Sequence, residues 1–309
     1  LIYIVFVFFI ISILMFAIYK AMPGDPVTIM LGDIKSSMKP DAYQALYHQT
    51  EQRLGLDKPV FVQYFIWMGN MLTGNFGYST QYQKEVIQII GAPMTNTVLL
   101  NILTMVVVFL ISVPLGILTA VRKNGIFDKA VQVLTIVGYS IPSFIIALLA
   151  IFAFAVKIPI FPISGAKTAG LDAGGIQGAL DMLWHMALPV LVMSVSGIGG
   201  ITRYVRASMI DVLRMDYIKT ARAKGLREKT VIYIHAFRNA LIPVVTITTW
   251  WIIGLFGGSI VIESVFLWPG LGKMLIDGLM QRDFAVVLTM QMFYVVLSLA
   301  GNVLMDITY

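Results

Sequence analysis

Apolar residues run along this chain in long blocks rather than in short alternations, and the block lengths carry the first reading. A helix that crosses a hydrocarbon core of about 30 Å needs roughly 20 apolar residues. Six stretches reach or approach that length: Leu1–Tyr19, Thr97–Val121, Val131–Val156, Leu183–Ile201, Pro243–Ile262 and Ala285–Asp306. Gly197, Gly199 and Gly200 dilute the fourth, and Gly254, Gly257 and Gly258 the fifth. Glycine is tolerated where helices pack closely in lipid, so both stay in the set. The pattern predicts an all-α integral membrane protein with six transmembrane helices, and an even number puts both termini on one side.

Composition agrees. Charged residues are 12% of the chain and apolar ones 58%, with a mean hydropathy of +0.85. A soluble domain carries about twice that charged fraction, so lipid solvates much of this chain. Cysteine is absent, which removes disulfides and leaves the redox compartment unread. The sequence opens at Leu1, inside an apolar run, so its start is expected to be trimmed. Leu1–Tyr19 lacks a small-residue cleavage pattern after it, so a cleaved signal peptide is not expected.

The polar segments set the orientation. One set holds Arg122, Lys123 and Lys129 and nine further cations from Arg203 to Arg238, twelve in all, with four acids. The other set, 20–96, 157–182 and 263–284, holds ten cations and eleven acids. Six of those ten lie in the long 20–96 segment, and the orientation rule works on short loops. The twelve-cation side is therefore expected to be cytoplasmic, with both termini.

Within that side, 203–242 has more order than a tether needs. Its pattern predicts a helix over Met215–Lys224, a glycine stop at Gly225 suited to left-handed dihedrals, and a second helix over Glu228–Leu241. Pro243 then opens the next span. Positive-inside bias alone accounts for single lysines here, but not for this helix, stop, helix order. On the opposite side, 20–96 opens with the turn MPGDP and continues with a helix, DAYQALYHQTEQRL, closed by Gly55. A further helix follows in KPVFVQYFIWMGNML, with Asp57 as cap and Pro59 in the first turn. Its aromatics Phe61, Tyr64, Phe65 and Trp67 suit a helix lying on the bilayer. After the turn WPGLG, an amphipathic helix is expected over Met274–Met280.

Several chemistries find no support. There is no G-x-x-x-x-G-K-[ST] phosphate loop, no H-E-x-x-H and no G-x-S-x-G. His48, His185 and His235 are scattered without metal-ligand spacing, so no metal site is expected. Away from their ends the six spans carry no Asp, Glu, Lys or Arg. A proton- or ion-coupled carrier commonly needs such a buried relay. If this chain moves a solute uphill, energy enters from elsewhere, and the polar helix pair is the port.

These segments, in order and spacing, carry a resemblance. MPGDP, LGLDKPVFVQYFIWMGNMLTGNFGYS, GYSIPSF, DYIKTARAKGL with IHAFRNALIPVVT, ESVFLWPGLG and QRDF cover nearly the whole length. The chain resembles the B-type membrane subunit of dipeptide and oligopeptide permeases among ATP-binding-cassette importers. The resemblance implies a type I importer permease fold with an extracellular insertion between helices 1 and 2. It divides the chain into a first transmembrane helix, 1–19, an extracellular segment, 20–96, and a permease core, 97–309, with a cytoplasmic coupling loop at 203–242. It also implies that Asp216–Leu226 is the coupling helix, docking on a separate ATPase through Asp216, Tyr217, Thr220, Ala221, Arg222, Lys224, Gly225 and Leu226. The family loop often reads E-A-A with a later Gly. Here Thr220, Ala221 and Gly225 keep the small residues and the glycine, whereas Lys219 stands in the glutamate position. Ala221 and Ala223 would let the helix approach its partner closely. Arg222 and Lys224 would meet acids at the groove rim, with Tyr217 and Leu226 as apolar anchors.

The expected partners are a related C-type permease chain, two cytoplasmic ATP-binding subunits and an extracellular peptide-binding protein, in a bacterial plasma membrane. No nucleic acid partner is expected. ATP and Mg would be held by the partner subunits, with no cofactor on this chain and no catalytic residue. Tyr139, Ser140 and Ser143 around Pro142, and Ser194 and Ser196 in the fourth span, are candidates for the substrate path, with Asn101 and Asn302 beside them. Hydrogen bonding between packed helices is the plainer reading of each. Rival functions are the same machine carrying nickel or another small solute, a membrane receptor docking a cytoplasmic enzyme, and a secondary carrier.

Overall fold

The structure is a computed structural model that describes residues 2–21, 24–171 and 174–308. Leu1, the Met22–Pro23 part of the MPGDP turn, Asp172, Ala173 and Tyr309 lie outside the described residues. In chain order the elements are α1 (Ile2–Ala21), α2 (Pro26–Lys35), α3 (Pro40–Leu54) and α4 (Val60–Leu72), then a short antiparallel pair, β1 (Tyr78–Ser79) and β2 (Lys84–Glu85), and α5 (Val86–Ile89). There follow α6 (Gly91–Val121), α7 (Ile126–Ser140), α8 (Ser143–Ile151), α9 (Gly175–Leu213), α10 (Asp216–Ala223) and α11 (Glu228–Thr230). The last are α12 (Phe237–Gly254), α13 (Ile260–Val265), α14 (Leu271–Met280) and α15 (Phe284–Thr308). Wider π-helical turns lie at Phe152–Lys157 and Val231–Ala236.

Among the described residues four helices are long and apolar enough to cross a membrane: Tyr3–Ala21, Gly91–Val121, Gly175–Leu213 and Phe284–Met305. Two bent pairs, Ile126–Ser140 with Ser143–Lys157 at 96° and Glu228–Leu241 with Pro243–Gly254 at 53°, bring the number to six if each is one span. The expected continuous third span is therefore broken. Pro142 is the cause, since a proline disfavours helical dihedrals in the residue before it, and Ile141 sits at φ −81°, ψ 127°. The fourth span is longer than expected and runs on past Arg203 to Leu213, which shortens the polar loop. The fifth also shifts. Its helix starts before Pro243 and ends at Gly254 rather than reaching Ile262, which belongs to α13.

The chain divides into two compact units, Leu1–Met94 with Met274–Ala300, and Thr95–Lys273 with Gly301–Tyr309. In the first, Phe16 of α1, Tyr64 and Met68 of α4, and Met292 of α15 form a buried cluster. The Ser12 hydroxyl and the Tyr64 phenol share a 2.8 Å hydrogen bond inside it. The aromatics of α4 thus divide: Tyr64 and Trp67 pack on Phe16, while Phe61 and Phe65 face outward. Pro59 takes the cap position of α4 without a side-chain bond, so Asp57 does not cap it. Asp25 does cap α2, accepting from the Val27 and Thr28 amides at 3.3 and 3.0 Å. Gly55 closes α3 at φ +67°, as its sequence position predicts.

In the second unit the core is Val108, Ile117, Val205, Met209, Ile218, Val231 and Ala236, drawn from α6, α9, α10 and the turn before α12. Small residues set its spacing. A Cβ on Gly116 would stand 2.6 Å from Val205 Cβ, and one on Gly197 would stand 2.8 Å from Val108 Cγ2. The glycines after α12 serve a different end. A Cβ on Gly258 would come 2.2 Å from the Gly272 amide nitrogen, so the two backbones cross with no room for side chains.

Candidate functional site

The α10 helix is eight residues long and follows the tight turn that ends α9. Its acid, Asp216, occupies the first turn and its base, Arg222, the last, both favourable to the helix dipole. Asp216 also pairs with Lys219 at 2.8 Å, one turn on. At the other end the Gly225 amide donates to Arg222 O at 2.9 Å, and Gly225 has φ +78°. A residue with a Cβ is strained there, which is why the sequence stops on glycine.

Burial divides the helix into two faces. Ile218 and Ala221 are sunk into the unit's core, in the cluster that also holds Met209 and Val231. Asp216, Tyr217, Thr220, Arg222, Lys224, Gly225 and Leu226 are exposed. The exposed large side chains, Tyr217 and Leu226, are 44% and 41% accessible and stand beside a polar surface. Ala221 therefore packs against the chain's own helices, whereas Ala223 is exposed. Arg222 is bound to Glu228 across the Gly225 turn at 2.7 and 3.2 Å. Among the described residues Lys224 makes no ion pair.

A charge cluster that the sequence reading passed over joins α7 to α9. Asp128 of α7 is fully buried and accepts from Arg206 Nε and Nη2 of α9, each at 2.7 Å. The Asn124 amide and the Gln132 side chain donate to the same carboxylate, each at 2.8 Å. Four donors satisfy the carboxylate, which a buried charge requires. The available signal was that Asp128 is the lone acid among Arg122, Lys123 and Lys129.

A second overlooked carboxylate is Glu263, 1% exposed. It accepts from Thr97 Oγ1 at 3.0 Å, the Ser259 amide at 3.2 Å and the Lys273 amide at 3.0 Å. The Thr97 hydroxyl in turn accepts from the Leu271 amide at 2.8 Å, and Trp268 Nε1 donates to Asn96 O at 3.2 Å. The segment ESVFLWPGLG is thus a knot that ties the start of α6 to the turns on either side of α13.

Of the five path candidates, Ser196 stands at a cavity. Ser196 lines a space of about 480 Å³ with Asn101, Thr104, Met193, Gly197, Trp250 and Trp251 among its neighbours. Ser194 is buried at 2% exposure, away from that lining. Tyr139 is exposed with its ring 5.5 Å from the Arg203 guanidinium, Ser140 donates to Ile136 O at 2.8 Å, and Ser143 opens α8 half-buried. These three flank the bend at Pro142. Asn101 lines the same cavity and also caps α12, donating to Leu255 O at 2.9 Å and Gly257 O at 3.1 Å. Asn302 is exposed. Among the described residues no cluster of His, Asp or Glu has the grouping of a metal site. His185 is buried and packs one turn from Asp181, and His48 pairs with Glu51 on the surface.

Residues 112–309 match the family described as binding-protein-dependent transport system inner membrane component, and residues 1–101 match that family's N-terminal component. The chain is 39% identical over 300 residues to the oligopeptide transport system permease protein AppB of Bacillus subtilis, covering 97% of this chain and 92% of that one. It is 34% identical over 316 residues to the di/tripeptide transport system permease protein DppB of Pseudomonas aeruginosa, covering 98% and 92%. Among solved structures, a chain of the MetNI methionine ABC transporter in an inward-facing conformation superposes with a TM-score of 0.53 at 18% identity, over 72% of this chain and 97% of that one. The fold is therefore that of an ABC importer permease. The chain belongs to the family of binding-protein-dependent transport system inner membrane components.

Proposed function

We propose that this chain is one of two membrane-spanning permease subunits of an ATP-driven importer of oligopeptides or dipeptides. Its nearly full-length likeness to oligopeptide and di/tripeptide permeases supports the cargo class. In this reading each bent pair is one span, the spans number six, and residues 20–96 form an outer insertion between the first two. Both termini and the 203–242 segment face the cytoplasm of a bacterium, where the short basic loops lie. A C-type permease completes the path, two ATP-binding subunits hold ATP and Mg, and an extracellular binding protein delivers the peptide. No residue of this chain is assigned to catalysis or to a cofactor.

The observation that carries the coupling assignment is the two-faced burial of α10. Ile218 and Ala221 anchor it to the spans, while Tyr217, Thr220, Lys224 and Leu226 stay free to meet a partner. A helix fixed on one face to the bundle and on the other to an ATPase transmits motion between them. ATP shifts the transporter between states only through differential binding to them, which the closed ATPase pair supplies. The test is peptide uptake by the reconstituted assembly with and without ATP, alongside crosslinks from Ala223. ATP-dependent uptake and crosslinks that reach the ATPase are expected. Uptake by the permease pair alone, or no crosslink to a nucleotide hydrolase, would sink the reading.

A further inference from the structure

Arg203 stands where a membrane helix rarely leaves a free cation. It lies ten residues before α9 ends at Leu213, about 15 Å along the axis. Its side chain turns back toward the apolar part of that helix, with Nε donating to Gly199 O at 3.2 Å and the guanidinium 5.5 Å from the Tyr139 ring. Tyr139 is itself thirteen residues past Ile126 in α7, beside the break at Pro142. One turn further along α9, Arg206 is neutralised by Asp128. Arg203 is exposed, and among the described residues it has no ion pair. A long cationic side chain beside acyl chains extends to the nearest water, because charge in lipid is costly. One that turns inward and stays open marks a polar route.

The same face of α9 leads to the cavity of the second unit. Ser196, Gly200 and Arg203 are four and three positions apart, hence on one stripe. A Cβ on Gly200 would meet nothing within 4 Å, so the stripe is open between its ends. At its far end Ser196 lines the cavity of about 480 Å³ together with Trp250 and Trp251. Trp251 lies over Gly197, where a Cβ would stand 2.9 Å from its ring, and Trp250 is 44% exposed. From Ser196 to Arg203 is about 10 Å along the helix axis, the length of about three extended residues.

We propose that this stripe is a subsite for the C-terminal end of a peptide in transit. The terminal carboxylate pairs with the Arg203 guanidinium, and the last side chains lie against the two indoles. The inference rests on the peptide-importer reading above and adds what the path recognises. A guanidinium presents a planar fork that fits a carboxylate, and every unmodified peptide ends in one whatever its side chains. Indole faces accept apolar groups of many shapes. One pin at the shared end, beside an apolar wall, suits a conduit that passes many sequences, and a single such contact is weak enough to let go.

The chain has no cysteine, so a single Ser196→Cys reports on the stripe. In the assembled transporter without ATP that thiol is labelled with a water-soluble maleimide against rising trialanine or trialanine amide, and the labelling is read on this chain by mass spectrometry. Trialanine should protect the thiol. The amide should need about tenfold more for the same protection, the loss of one charge-assisted hydrogen bond. Adding Arg203→Met should make the two peptides equal, and Arg203→Lys should restore part of the preference. Equal protection by acid and amide with Arg203 in place, a preference that survives Arg203→Met, no labelling, or no protection overturns the subsite. So does loss of the second permease from the Arg203→Met assembly on gel filtration, which would make the arginine an ion-pair partner between subunits. ATP-driven uptake of trialanine is measured on the same preparations. No uptake with Arg203 in place sinks the importer reading, whereas uptake without a carboxylate preference sinks the subsite alone.

Discussion

Arg206 grips Asp128 in a two-pronged ion pair, 2.7 Å at each contact, with the carboxylate wholly buried and the guanidinium still partly open. The pair joins the N-terminal end of α7 to the part of α9 that leads to α10. Removing one partner strands the other charge, which typically costs about 3–5 kcal/mol. Arg206→Met should therefore lower the melting temperature of the purified chain sharply, and Asp128→Asn somewhat less. The double variant should recover part of the loss. Strictly additive losses would show that the two charges are not coupled.

Gly270 lies against the Glu263 knot, where a Cβ would stand 2.5 Å from both Glu263 Oε2 and Thr97 Oγ1. Gly270→Ala should cost about 1–3 kcal/mol by overpacking. Combining it with Thr97→Gly should relieve only part of this, since the Glu263 contact persists. Thermal unfolding of Gly270→Ala, Thr97→Gly and the double variant checks the order. A Gly270→Ala chain as stable as the parent would show that the knot yields freely.

Asp25 caps α2 and also holds the Tyr47 phenol. Burial pushes its carboxyl up, but the Thr28 hydroxyl, the Tyr47 phenol and the Thr28 and Val27 amides outweigh that, so it lies below the ordinary value of 3.8. Bonding to Asp25, with burial and the nearby charge adding to it, pushes the Tyr47 phenol up to about 12. A carboxyl depressed in the folded state contributes stability above its unfolded value, and that contribution is lost as pH falls through the folded one. Protection of the Thr28 amide from hydrogen exchange should thus weaken as pH drops below 3.8. Asp25→Ala should cost about 1 kcal/mol at neutral pH, remove that pH dependence and return Tyr47 towards its ordinary value, read by ultraviolet titration. An unchanged tyrosine titration would refute the contact.

What could be read from the sequence follows from the range of the physics involved. The α10 helix and its stop were legible because Gly225 acts within its own turn. The α3 boundary at Gly55 was legible for the same reason. The bend at Pro142 was also in local reach, since the proline restricts Ile141 directly, but an apolar run long enough for one span hid it. By contrast, Gly258 looked like a diluted span and is a backbone crossing with Gly272, which no local window contains. Glu263 and Thr97 lie 166 positions apart, and their bond depends on the folded chain. Which face of α10 points inward was likewise hidden. Ile218 and Ala221 are three apart on one side, yet only the core cluster they join, drawn from distant helices, decides that this side is buried.

That last fact separates two kinds of variant in the proposed coupling helix. Tyr217→Ala and Leu226→Ala alter exposed side chains, so the chain should insert and melt as the parent does, whereas uptake should fall about tenfold or more if these are interface anchors. Ile218→Ala opens a hole in the core and should cost about 2–5 kcal/mol, losing uptake through stability. Ala221→Trp belongs with it, because a ring cannot fit where Ala221 is 7% exposed. Gly225→Ala forces a Cβ into left-handed dihedrals at φ +78°, costing about 1–2 kcal/mol locally and shifting the Arg222–Glu228 pair. Uptake, ATP hydrolysis and melting temperature are measured on the same reconstituted preparations. The expected signature is ATP hydrolysis that continues in the Tyr217 and Leu226 variants while peptide no longer enters. Normal uptake by both would remove the exposed face of α10 from the coupling path.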